Sequence, residues 1–96
     1  VREKPMTVLY LMVRQCNMIL QAAEMNRQGL DRSAIASKAG MPPFAVGKCL
    51  SQAKKFTKDK FLHLITYGTE LEESIKTGRI DERIAVELFL LTAVGA

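Results

Sequence analysis

The stretch DRSAIASKAGMPPFAVGKCLSQAKKF, from Asp31 to Phe56, constrains the fold most, because its punctuation admits little besides two short helices around a tight turn. Gly40 suits a left-handed conformation that a residue with a Cβ resists, and the pair Pro42-Pro43 stops one helix and starts the next. Ile35 and Ala36 are placed to pack the first helix of this hairpin, Val46 and Leu50 to anchor the second. Two functional readings follow: a DNA-binding helix-turn-helix, or a helical hairpin that packs the same way and reads no bases. The residues outside the stretch favour the second.

Similar punctuation divides the whole chain into about five helices, and no segment shows the sustained two-residue alternation of a half-buried strand. Pro5 suits a first helical turn and Gly29 an end, so the first helix is predicted to run from Pro5 to Gln28. Asp31 or Ser33 caps the second. Thr57 caps the fourth, which Gly78 closes, and Asp81 caps the fifth after the link Arg79-Ile80. Gly47 and Gly68 fall inside predicted helices, at a cost of roughly 1 kcal/mol each, which points to another helix approaching closely there. The expected fold is all-α: a compact bundle with a helix-turn-helix-like hairpin, in one domain over residues 1–96. Because it opens on Val1 and stops just after an apolar segment, the chain reads as the C-terminal fragment of a longer protein.

Winding the helices at about 100° per residue shows which faces are apolar. On the first, Leu9, Met12, Val13, Cys16, Ile19, Leu20 and Ala23 make a stripe suited to the domain's own core. Val8, Leu11, Met18, Ala22 and Met25 make a second stripe roughly opposite, interrupted by Gln15. A helix apolar on two faces must be covered on both, so Val8, Leu11, Met18 and Met25 are expected to meet a partner subunit. The alternative is that the hairpin or the fifth helix folds over this face. The fifth helix is itself nearly all-apolar, with Ile84, Val86, Leu88, Phe89, Leu90 and Leu91 broken by Glu87, and is either the central helix or wedged between subunits. On the fourth, Phe61, Leu64, Ile65, Leu71 and Ile75 form an ordinary core stripe.

Composition narrows the function. Hydrophobic residues at 48% and charged residues at 25% describe a globular domain. The apolar run from Ile84 to Val94 is far shorter than the roughly 20 residues that cross a bilayer, and no signal peptide is visible, so a soluble cytoplasmic protein is expected. Cys16 and Cys49 lie far apart in a chain with a single histidine, which argues for two buried reduced thiols and no metal or other cofactor. His63 sits on the polar side of its helix, Glu72 and Glu73 diverge by about 100°, and no phosphate loop exists, so no catalytic residues are assigned.

The net charge of +4 permits a nucleic-acid partner without demanding one. A base reader needs Arg, Asn or Gln near the start of its recognition helix, where this chain offers Pro42-Pro43-Phe44. Lys48 and Lys55 point outward and are assigned nonspecific phosphate contacts.

Three signatures in order, LYLMVRQCNMIL, IASKAGMPPFAVGKCLSQAKKF and SIKTGRIDERIAVELFLL, cover nearly the whole chain. They resemble the C-terminal domain of the delta subunit of bacterial DNA polymerase III. Lys76-Thr77-Gly78-Arg79 before an all-apolar last helix narrows the choice, whereas Gly47 stands where a bulkier residue is expected. The resemblance implies a collar domain that joins delta to the other clamp-loader subunits and supports loading of the sliding clamp. It also implies a non-enzymatic component of the polymerase holoenzyme, with ATP hydrolysis in partner subunits and the clamp contact in an N-terminal part. The runner-up is a small helix-turn-helix DNA-binding domain.

Overall fold

Among the described residues, five helices form in the order that the punctuation predicts: α1 (Pro5–Arg27), α2 (Arg32–Ala39), α3 (Pro43–Ala53), α4 (Lys58–Lys76) and α5 (Glu82–Val94). The structure, a computed structural model, describes residues 4–95, and the ends of the expected domain, residues 1–3 and 96, lie outside the described residues. Among the described residues there is no strand, and the fold is all-α.

The caps follow the sequence closely. Asp31 Oδ1 accepts the Ala34 N–H at 2.8 Å, Thr57 Oγ1 accepts that of Lys60 at 3.1 Å, and Asp81 Oδ2 accepts those of Arg83 and Ile84. Each satisfies a backbone donor that the first helical turn leaves unpaired. Gly40 ends α2 at φ 68°, ψ 38°, donating its N–H to Ala36 O. The left-handed residue turns the chain sharply enough for α2 and α3 to pack on each other.

Packing divides the chain into two compact units, Val1–Gln15 with Leu62–Ala96, and Cys16–Phe61. In the first, α1 buries Leu9 and Val13, α4 buries Leu64 and Leu71, and α5 buries Ala85 and Phe89. Gly68 makes this packing possible. A Cβ there would collide with Val13 Cγ2 and lie 3.0 Å from Phe89 Cε1, so the missing side chain is the space that α1 and α5 fill. In the second unit, Ile19 and Ala22 of α1 pack with Ile35, Ala36, Met41, Val46, Cys49 and Phe61. Burying a residue such as Ile35 or Leu64 contributes about 1.5–3 kcal/mol each.

Four expectations need correction. Gly47 is approached by a side chain and not by a helix: the Arg32 guanidinium lies about 3.3 Å from where its Cβ would stand. The core stripe proposed for α1 holds at Leu9, Val13 and Ile19, but fully buried Ala22 comes from the other stripe. Ala22 and Val13 lie about 180° apart on the helix, so α1 uses one stripe in its first half and turns towards the other in its second. Cys16, expected to be buried, is half-buried because it lies off the direction that Ile19 and Ala22 bury. Finally, α5 is no central helix, since it buries Ala85 and Phe89 and exposes most of its other large apolar side chains.

Candidate subunit interface

Asp81 starts α5 immediately after the link, and the pair Ala85 and Phe89, one turn apart, fixes which side faces the core. The opposite side then follows from helix geometry. Leu90, Val94, Leu91, Ile84 and Leu88 fall within an arc of about 160°, joined there by Arg83 and Glu87. All five are exposed, Leu91 at 66% and Val94 at 79%. Leu90, Leu91 and Val94 line a shallow groove with Glu87 at its side. Contiguous apolar surface of this kind is characteristic of a docking face, because leaving it in water forfeits the free energy of burial.

The residues assigned to a partner from the sequence are distributed differently. Leu11 is 46% exposed and Val8 half-buried, both in the first unit. Met18 and Met25 are half-buried and pack against the core of the second unit, which already takes up part of their surface. The face expected from helical winding is therefore left open at Leu11 and partly used at the methionines. The apolar arc of α5 was legible as composition, but its direction required knowing that Ala85 and Phe89 point inward.

Lys48 and Lys55 are exposed as expected. Lys48 Nζ stands 5.8 Å from the centroid of the Phe44 ring, and Phe44 is 67% exposed at the start of α3. Pro42 N-caps α3 with no side-chain hydrogen bond, and Pro43 and Phe44 follow, so the leading turn of the hairpin's second helix carries no polar side chain for a base edge. The thiols offer no reactive site: both are free, and burial pushes the pKa of Cys16 and of Cys49 up, away from the nucleophilic thiolate.

Comparison with known proteins agrees with this all-helical architecture. The family model of the DNA polymerase III delta subunit, C-terminal domain, matches residues 1–93. The chain belongs to that family. It is 32% identical over 89 residues to the DNA polymerase III subunit delta of Bacillus subtilis (strain 168), covering 93% of this chain and 26% of the relative. The solved structure of the Bacillus subtilis DNA clamp loader delta protein superposes with a TM-score of 0.92 at 29% identity, covering 99% of this chain and 28% of that one. This delta-family chain thus spans about a quarter of the length of the relatives it matches. Among its described residues, no helix is long and apolar enough to cross a membrane.

Proposed function

We propose that the chain is the collar domain of a clamp-loader delta subunit, an assembly module of bacterial DNA replication that binds other clamp-loader subunits and supports loading of the sliding clamp. It acts in the cytoplasm, as one domain and without catalysis of its own, as a component of the polymerase III holoenzyme whose clamp contact lies elsewhere in the delta subunit. The observation that carries this reading is the exposed apolar arc of α5, Ile84, Leu88, Leu90, Leu91 and Val94, in a chain of the delta family. Val8 and Leu11 in the first unit, and Met18 and Met25 in the second, are further candidate contact residues, Leu11 exposed and the other three half-buried. Lys48 and Lys55 are assigned to nonspecific contact with DNA phosphates, a supporting role.

The test is association of the delta subunit with its partner subunits, measured by pull-down and sedimentation. Leu91→Asp with Val94→Asp should abolish association while circular dichroism shows unchanged helicity, because both side chains stand mostly in water when the chain is alone. Lys48→Ala with Lys55→Ala should leave association intact. Full association of the α5 variant would overturn the proposal, and tight sequence-specific duplex binding that falls steeply with salt would favour the helix-turn-helix reading instead.

A further inference from the structure

In the second unit, Phe44, Gly47, Lys48 and Ser51 follow the three- and four-residue spacing of a shared face on α3. Phe44 stands in water on this face at 67% exposure, which leaves most of its ring open. Lys48 Nζ lies 5.8 Å from the ring centroid, and Lys48 and Ser51 are exposed beside it. Gly47 admits a second cation. The Cζ, Nη2 and Nη1 atoms of Arg32 lie 3.3, 3.3 and 3.4 Å from where a Cβ would stand, so the guanidinium lies flat against α3 in the space that the missing side chain leaves. A bulkier residue at position 47 would push it off the helix. The glycine that departs from the expected pattern thus holds Arg32 one turn from Phe44.

The charge around the ring is of one sign. Residues 32–55 hold Arg32, Lys38, Lys48, Lys54 and Lys55 and no Asp or Glu, a net of +5. The rest of the chain, with nine lysines and arginines against ten acids, comes to −1. All five cations are exposed, and among the described residues Arg32, Lys48 and Lys55 make no ion pair. The positive excess of the whole chain therefore sits on the α2–α3 hairpin and the turn after it, around one open aromatic ring.

We infer that this face of the hairpin binds single-stranded nucleic acid, with an unpaired base stacked on Phe44 and the phosphates held by Arg32 and Lys48 beside it and by Lys55 beyond the end of α3. An aromatic ring set among cations is the arrangement that takes a stacked base between phosphates, and it tolerates any sequence because every base has a flat face. The leading turn of α3, which offers no side chain to a base edge, is compatible with such binding. A duplex fits less well, since its bases already stack on one another. A protein partner would bury an apolar centre with charge at the rim, whereas here the cations flank the ring itself. Resting on the phosphate role proposed for Lys48 and Lys55, the site adds a platform for the base.

The experiment is fluorescence anisotropy of the full chain with labelled oligothymidylate, with the same strand paired to oligodeoxyadenylate, and with an abasic strand of equal length. Oligothymidylate should bind tightest, because the other two carry at least as much phosphate charge without an open base. Phe44→Leu, which keeps an apolar side chain at an exposed position and removes the ring, should weaken oligothymidylate binding about ten-fold, within the range for losing one stacked base. It should leave binding of the duplex and the abasic strand unchanged. Arg32→Gln, and Lys48→Ala with Lys55→Ala, should weaken all three and flatten the salt dependence. The stacked base is overturned if the chain binds no oligothymidylate, if the duplex or abasic strand binds as tightly, or if Phe44→Leu binds oligothymidylate as the parent does. Lysine dependence without Phe44 dependence would remove the stacked base and leave the phosphate role standing, and neither result bears on association through α5. Polyglutamate binding with the same Phe44 dependence would also overturn it, assigning the face to an acidic protein.

Discussion

Gly68→Ala is expected to destabilise the chain, against the general rule that alanine improves a helix. Removing a glycine from a helix interior is worth about 1 kcal/mol in favour of alanine. Here the added methyl enters space already taken by Val13 Cγ2 and lies 3.0 Å from Phe89 Cε1. Both neighbours are almost wholly buried, Val13 at 6% and Phe89 at 2% exposure, so neither can swing into water. Valine is branched at Cβ and has little rotamer freedom, which leaves separation of the helices as the main relief. Overpacking of this kind costs typically about 1–3 kcal/mol, and the collision with a stiff side chain places Gly68 in the upper part of that range. The net loss is then about 1–2 kcal/mol, or roughly 4–16 °C in Tm for a domain of this size. Thermal and urea unfolding followed by circular dichroism would measure it. Adding Val13→Ala makes room for the new methyl, so the double variant should be more stable than the sum of the two single losses by about 1 kcal/mol. A Gly68→Ala chain that melts at or above the parent temperature, or strict additivity with Val13→Ala, would refute the close-approach argument.

Two further outcomes follow from local geometry. Gly40→Ala meets open space but must hold φ near 68°, so urea unfolding should show a purely conformational loss of about 1 kcal/mol, and parental stability would mean that the turn is not strained. Leu11→Asp and Met18→Asp should separate the two halves of α1. The first leaves the chain folded and impairs association with partner subunits, whereas the second, beside the core, lowers unfolding stability by about 1–3 kcal/mol; equal stability of both variants would contradict the assigned burial.

The hairpin shows how far local chemistry carries. Gly40, Pro42-Pro43 and the capping residues Asp31, Thr57 and Asp81 act through φ restriction and hydrogen bonds spanning two or three residues, so each is readable from its neighbours alone. The inward faces of α3 and α4 were legible for a related reason, because Val46 with Cys49, and Phe61 with Leu64 and Leu71, form a single apolar stripe with polar residues opposite. Family membership was likewise legible in the three signatures along the chain.

On α1 and α5 this logic runs out. Both are apolar over more than one face, and periodicity cannot rank two apolar faces when neither is marked by charge. Ala22 rather than Ala23 lies fully buried on α1, and Leu91 rather than Phe89 faces water on α5, because the approach of neighbouring helices selects the face. The same holds for the glycines inside helices: the sequence announces a missing side chain, but not that Val13 and Phe89 fill the space at Gly68 while Arg32 lies over Gly47. The sequence by itself determined where helices start and stop, because those signals are local. Only the tertiary structure decided which apolar residues remain in water for a partner, because burial is a property of what packs against a residue and not of the residue itself.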